Sequence, residues 1–509
     1  MSPGKNDLRT IWGQSSTALW ITLLLSLMLG LGIRLYDLTD PPLDFHSTRQ
    51  LFSAIIARGM YFQDLGDVTT WKRELAVEAW KDQPSIEPSI FERLVALTYR
   101  LLGREILWIP RIYSAIFWLI GGIGLYTLAR EMTSVDGGII ALIFYLFVPF
   151  GVIASRSFQP DPLMVMWIIL AWWSFYRWHQ RRSWGAAITA GLFAGIAILI
   201  KSVAVFLLFG GMTVLVLISQ GIKAAIKDPQ LWVIACLSLL PVLTYTLYGL
   251  YALGLSSQFE GRFFPELLKD PAHYIRWGNE MISIVGFSGL FVGLIGINLF
   301  WEPYQKGFVA GIWGGYLLYG LFFPYHFLTH NYYHLPLIPL VAISLAPVAK
   351  GLFNYVATLK LGWFPKTGII GIIVLGIAVQ MWNTRVELAR DDYRHEPAYW
   401  QTLGDRIGQG HQVIALTQDY GFRLLYYGWV KVYNWPETKH IAYGELRSGK
   451  AFDFDARFAD ETQGMEYFLV TRKKELERQP ELRELLYDRY PLIDQGEGYL
   501  LFDLTQPLP

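Results

Sequence analysis

Apolar residues gather into eleven runs, at about 17–36, 106–128, 137–154, 162–178, 185–201, 203–220, 231–250, 282–300, 308–324, 334–350 and 367–383. Runs of roughly 18 or more apolar residues are long enough to cross a bilayer as helices. The pattern therefore predicts a multi-span α-helical membrane protein with about 11 transmembrane helices. The first run has no small-residue cleavage site, so it reads as a retained span rather than a signal peptide. The stretch 185–220 is short for two spans, and by length alone it is either a tight hairpin turning at Lys201 or one tilted helix.

Charge in the short loops decides between these. With the N-terminus in the cytoplasm, the inner loops hold Lys5 and Arg9, then Arg130, then Arg177, Arg181 and Arg182, then Lys223 and Lys227, then Lys306, then Lys350, Lys360 and Lys366. The outer short loops hold only Arg156 and Lys201, and the 323–334 loop holds no Lys or Arg. Basic residues favour the cytoplasmic side. A single tilted helix over 185–220 would reverse every later loop, so the hairpin is expected.

Two larger regions lie outside on this count. The first outer loop, 37–105, has helical patterns at 47–62 and 86–102. Leu51, Ile55 and Ile56 with Arg49 and Arg58 make an amphipathic face of the kind that lies in a bilayer interface. The tail, 384–509, alternates strand patterns (413–417, 467–470) with a charged helical pattern at 474–487, which predicts a small α/β domain. The expected organisation is a transmembrane domain over 1–383 and an extracytoplasmic α/β domain over 384–509. A further outer loop, 251–281, carries Glu260, Arg262, Glu266, Lys269, His273 and Arg276 and is too polar to span.

Composition agrees: 53% of the 509 residues are hydrophobic and 20 are Trp. A net charge of +1 gives no basis for a nucleic-acid partner. The single cysteine, Cys236, sits inside an apolar run and forms no internal disulfide.

The chemistry-bearing residues fall on one side of the spans. A charged group near hydrocarbon is expensive and marks a functional site by default. Asp44 follows Pro41-Pro42 just past the first run, with His46 and Arg49 close by. Its carboxylate stands where membrane meets water, either as a general base for an acceptor hydroxyl or as a cap for the helix starting near Ser47. Asp161 lies between Pro160 and Pro162, five residues after Arg156. An Asp followed by Pro also suits an ordinary helix start. Lys201 is flanked by apolar residues on both sides, either snorkelling or offering a cation to a lipid phosphate. Arg262 and Arg276 could add to such a site. The run FPYHFLTHNYYHLPLIPL sets His326, His330, Tyr332, Tyr333 and His334 more densely than an aromatic belt requires. His330 and His334 have the spacing of zinc ligands on a helix, but no neighbouring Glu completes a His-Glu-x-x-His pattern. Binding of phosphate or sugar hydroxyls suits the cluster better.

These motifs together resemble bacterial membrane glycosyltransferases of the GT-C fold, in the protein O-mannosyltransferase and lipid A aminoarabinose transferase superfamily. The features that carry the resemblance are Asp44 in the first outer loop, the Arg156 to Asp161 turn, Gly191 and Gly195 before Lys201, and the His330, Tyr332, Tyr333, Pro336 motif. It covers roughly 10–390, and the tail resembles the extracytoplasmic domain of some members. The resemblance implies a sugar donor linked to polyprenyl phosphate, a lipid, glycan or protein acceptor outside the cytoplasm, and residence in the bacterial inner membrane. Carried over, Asp44 is the general base, Asp161 orients acceptor or sugar, and Lys201 with an arginine holds the departing phosphate. His330, Tyr332, Tyr333, Arg262 and Arg276 would bind the lipid phosphate, and His46, Arg49, Arg156 and His334 the substrate. No nucleotide sugar and no obligatory metal are expected. Many relatives have Asp-Glu in the first loop, whereas Phe45 follows Asp44 here, which bears on the acceptor. Trp172-Trp173 is followed by Ser174, not Asp, which argues against asparagine glycosylation. A lipid or solute transporter and a surface-glycan polymerase or ligase are the alternative classes. The gathering of polar groups at one face favours the transferase over a transporter, whose site would lie near the midplane.

Overall fold

A computed structural model describes residues 12, 15–66, 68–84, 87–252, 263–358 and 364–508. The chain forms two compact units. One comprises 1–38, 85–91 and 108–391, the other 39–84, 92–107 and 392–509.

The first unit is a helical bundle. Its helices up to residue 252 are α1 (Ser16–Arg34), α5 (Ile109–Met132), α6 (Val135–Phe147), α7 (Pro149–Ala154), α8 (Asp161–Arg181), α9 (Trp184–Ile200), α10 (Ala204–Lys227) and α11 (Pro229–Ala252). The second unit takes α2 (Ser47–Phe62), α3 (Thr70–Lys81) and most of α4 (Ile90–Leu102). Each of the eleven apolar runs lies on helix. Among the described residues, six helices are long and apolar enough by themselves to cross a membrane. Val135–Phe147 and Trp184–Ile200 are apolar but shorter. The α9–α10 hairpin at Lys201 is present, so 185–220 is two helices.

Two runs are broken, each for a local reason. Val148 takes extended backbone before Pro149, which cannot continue the ladder of α6. The helices Pro271–Val285 and Phe287–Leu299 meet at 96°, where Gly286 has φ +74°, a conformation costly for other residues. A break frees carbonyls that lipid cannot satisfy. At the end of α6, Trp118 Nε1 donates to the Tyr145 carbonyl at 3.1 Å and Arg34 Nη1 to the Leu146 carbonyl at 3.1 Å. Arg34 is fully buried.

Close helix pairs rest on glycine. A Cβ at Gly195 would lie 2.3 Å from the Leu237 carbonyl oxygen of α11, and one at Gly311 would lie 2.4 Å from the Gly210 carbonyl oxygen of α10. Such backbone approach is what small residues permit between membrane helices.

In the second unit, every residue of α2 from Ser53 to Phe62 is buried. The helix expected over 47–62 is present, packed along this stretch. The strands are β1 (Val413–Leu416), β2 (Tyr433–Asn434), β3 (Tyr467–Val470), β4 (Leu492–Gly496) and β5 (Tyr499–Asp503), in the order β2-β1-β3-β5-β4. The β1–β2 and β1–β3 pairs are parallel, and β5 is antiparallel to β3 and β4. Side chains alternate between two cores. Ile414, Leu416, Phe468 and Val470 face Trp435, Leu482 and Leu486, while Val413, Ala415 and Leu469 face Trp400, Leu403 and Ile407. Burial on both faces explains why β1 and β3 read as unbroken apolar runs. The charged helix expected over 474–487 is two, Lys473–Leu476 and Pro480–Arg489, divided by Pro480.

Gly311→Ala should destabilise the bundle by about 1–3 kcal/mol, as overpacking does. Gly314→Ala, with open space at its Cβ, should be neutral or stabilising by up to about 1 kcal/mol through helix propensity. Thermal unfolding in detergent separates the two, and equal effects would remove the close-approach argument.

Candidate functional site

In the bundle, residues 155–160 join α7 to α8 and are all buried. Asp161 then opens α8 with Pro162 behind it, as a helix-start Asp would. Its carboxylate does more. Oδ1 accepts from Lys201 Nζ at 2.9 Å, and the two side chains are only 3% and 5% exposed. Asp161 Oδ2 has no hydrogen-bond partner among the described residues.

Lys201 follows the last residue of α9 in extended backbone, φ −154°. Its ammonium does not reach to a surface, so the snorkelling alternative is not realised. It lies 5.0 Å from the Tyr332 ring centroid and 4.9 Å from that of Tyr333, within cation–π range of both. An ammonium carries three donors, and Asp161 is its one hydrogen-bond partner among the described residues.

Both tyrosines sit on a short 3-10 turn, Asn331–His334, which follows the helix Pro324–Thr329. His326 stacks on Tyr333 at 5.7 Å and lies 5.5 Å from the His330 ring. His330 Nδ1 is 2.7 Å from Thr329 Oγ1 at an exposed position. His330 and His334 therefore do not share the α-helical face that zinc ligands at that spacing would need. His334 is fully buried. Its Nε2–H donates to the Phe327 carbonyl at 2.7 Å, so its Nδ1 accepts from Tyr316 Oη at 2.5 Å. Both nitrogens are taken up inside the bundle. Among the described residues no group of three or more His, Cys, Asp or Glu could hold a metal.

The arginines separate. Arg156, 2% exposed, donates to the Tyr36 and Asp37 carbonyls at 2.6 and 2.8 Å and so fixes the exit of α1. Arg276 pairs with Asp270 at 3.0 Å with 60% of its side chain exposed. Arg262 lies outside the described residues.

In the second unit, Asp44 is half-buried in the turn before α2. The N-cap falls on His46, at φ +47° with no side-chain cap bond, so Asp44 is not the cap of this helix. Its Oδ1 accepts from Gln50 Nε2 at 3.1 Å, and the same amide donates to the Phe45 carbonyl at 2.8 Å. The Arg49 guanidinium lies over Phe52 at 5.4 Å, and the rings of Phe45 and His46 meet edge to face at 4.8 Å.

Gln50 and Asp419 were invisible to sequence reading. Gln50 lies inside an amphipathic pattern, and Asp419 is 375 positions from Asp44 along the chain (419 − 44). Arg34 did carry a signal, as a charge within the first apolar run.

Residues 87–248 match the family described as dolichyl-phosphate-mannose-protein mannosyltransferase. No curated protein matches the chain in sequence. Among solved structures, the chain is similar to ArnT from Cupriavidus metallidurans. In the apo state the match has 15% identity and a TM-score of 0.60, over 96% of this chain and 98% of that one. The undecaprenyl-phosphate-bound form gives 15% identity and 0.58 over the same shares. The oligosaccharyltransferase AglB from Archaeoglobus fulgidus, in complex with an inhibitory peptide and a dolichol-phosphate, matches at 12% identity and 0.51, over 96% and 76%. The chain thus has the GT-C fold of membrane glycosyltransferases such as ArnT and AglB, and in sequence it resembles the dolichyl-phosphate-mannose-protein mannosyltransferases over residues 87–248.

Proposed function

We propose that this protein is an integral membrane glycosyltransferase that moves a sugar from a polyprenyl-phosphate-linked donor to an acceptor outside the cytoplasm. The observation that carries the reading is the buried Lys201–Asp161 pair beneath Tyr332 and Tyr333. It sits in a chain whose fold matches a protein crystallised with undecaprenyl phosphate.

The reaction breaks the bond between the anomeric carbon and the phosphate oxygen. Negative charge then builds on the departing lipid phosphate. Lys201 has two donors left after Asp161, and charge-assisted bonds from them would stabilise that charge. The Tyr332 and Tyr333 hydroxyls are suited to the remaining phosphate oxygens, and His330 to the rim. In this reading Asp161 holds Lys201 in place, and its open Oδ2 is left to accept a sugar hydroxyl. Asp44 takes the proton of the acceptor hydroxyl as it attacks. In this reading Lys201 supplies the positive charge at the leaving group, a lipid-linked sugar serves as co-substrate, and no metal ion is required. Arg156 and His334 act as supports of the fold and not as substrate contacts. The α/β tail and the first loop face outward, in the orientation the loop charges imply.

Asp44→Asn should lower kcat by about 10²–10⁴-fold, the usual contribution of a general base, with donor affinity within about twofold of wild type. Near-normal kcat in that variant sinks the role. Removing Lys201 alone would strand a buried carboxylate, at about 3–5 kcal/mol of stability, so the informative change is the pair Lys201→Gln with Asp161→Asn. That variant should unfold close to wild type yet bind undecaprenyl phosphate at least tenfold more weakly in a titration with the lipid. Unchanged affinity would return the pair to a structural role. For sidedness, Ser448→Cys in a Cys236→Ser background should react with an impermeant maleimide on intact cells. Labelling that appears only after lysis would invert the orientation.

A further inference from the structure

The first two residues of α2 carry hydroxyls that do not cap their own helix. Ser47 Oγ and Thr48 Oγ1 both donate to the same atom, Asp419 Oδ1, at 2.7 and 2.6 Å. Asp419 Oδ2 accepts from Arg423 Nε at 2.6 Å, and Arg423 Nη1 lies 3.1 Å from Glu396. All of these residues belong to the second unit.

Three features single out this contact. Asp419 and Tyr420 are consecutive residues at φ +52° and +56° with no glycine between them, a conformation that costs roughly 1–2 kcal/mol per residue. The turn they make delivers a carboxylate to the N-terminus of α2, where unpaired N–H groups and the helix dipole favour negative charge. Burial alone would raise the Asp419 carboxyl, but Arg423, Thr48 and Ser47 outweigh it and hold it below the ordinary range. The group is thus ionised at neutral pH.

The first turn of α2 also carries Gln50, fully buried, whose amide holds Asp44 Oδ1 and the Phe45 carbonyl. A continuous path runs from Asp419 through Ser47 and Thr48 to the first turn of α2, then through Gln50 to Asp44. We infer that Asp419 is a positioning residue for Asp44, so that the C-terminal segment sets the geometry of the general base. The inference rests on Asp44 being that base.

The test uses the full chain in detergent or nanodiscs. Asp419→Asn is the conservative change, because Asn tolerates left-handed backbone and keeps an acceptor oxygen while losing the charge. Turnover is followed with the polyprenyl-phosphate-linked sugar the wild-type chain accepts, from a panel of mannose, glucose and aminoarabinose donors. We expect kcat to fall at least tenfold, with donor KM within about twofold and the melting temperature near wild type. Amide exchange over 41–50 should quicken while the bundle is unchanged. The double variant Ser47→Ala with Thr48→Val approaches the same contact from α2. Combined with Asp419→Asn it should add little further loss, as for residues in one network.

Wild-type kcat in Asp419→Asn, or strictly additive losses in the combined variant, overturns the inference while an inactive Asp44→Asn leaves the base intact as a reading. An active Asp44→Asn overturns both, and that result is read from a different protein sample. Equal loss of melting temperature and kcat in every variant would make the contact structural only and also overturn it.

Discussion

The ion pair between Lys201 and Asp161 is the constraint around which the bundle is arranged. It joins the start of α8 to the turn between α9 and α10, with both charges withdrawn from water. At 2.9 Å and an effective dielectric constant of about 20, the attraction is about 6 kcal/mol. Removing each ion from water costs several kcal/mol. The two terms nearly cancel, so the pair adds little net stability and is a poor reason for the fold to exist. Its geometry is what matters. A short apolar hairpin turning on a lysine puts the ammonium inside, and a helix starting at Asp-Pro puts a carboxylate beside it. The tyrosines at 332 and 333 then lie against the cation. The ammonium is thus held at low dielectric by one carboxylate and two aromatic rings.

The same low dielectric governs the rest of the bundle. Where a helix breaks, its carbonyls need partners from the protein, and at Val148 these come from Arg34 and Trp118. Where helices press together, glycines let backbones touch, as Gly311 does on Gly210. Arg156, held by the carbonyls of Tyr36 and Asp37, fixes the direction in which the chain leaves α1. That exit is seven or eight residues from Asp44, so the local stiffness of the Pro41-Pro42 segment begins from an anchored point.

Hydropathy revealed the spans because a membrane demands one property over about 20 residues, which periodicity and length report directly. The hairpin at Lys201 came from loop charges and not from the run itself. Breaks were harder. Pro149 stood in plain view, yet an apolar run with an internal Pro still averages as one span. In the second unit, α3 went unread because TWKRELAVEAWK is short and charged, and β5 because YLLFD gains its identity only from pairing with β3. Among the candidate residues the sequence singled out, Asp161, Lys201 and the tyrosines at 332 and 333 do come together. Other contacts that join distant segments were illegible. Lys431 with Glu78 and Asp82, and Arg58 with the Tyr426 carbonyl, span hundreds of residues, Arg58 with Glu105 spans 47, and none of them leaves a periodic trace. Nor does an i, i+4 histidine spacing report that the backbone there is a 3-10 turn.

The kind of contact that joins the first loop to the C-terminal segment within their unit is itself informative. The Arg58 guanidinium lies over the Tyr426 and Trp429 rings, at 3.5 and 4.5 Å from their centroids, while Glu105 accepts from its Nε. Lys431 reaches two carboxylates, and Asp419 takes two hydroxyls. Apolar surface would hold these segments close, but it is non-directional and tolerates sliding. Ion pairs and charge-assisted hydrogen bonds fix direction as well as distance. Trp429, like Asp419 and Tyr420, sits at positive φ without being glycine, so the segment accepts backbone strain at three positions where these contacts form. Strain of that kind persists only where surrounding structure over-determines it. A segment tied down by directed charges at the expense of its own backbone is held in one geometry rather than merely close to its partner.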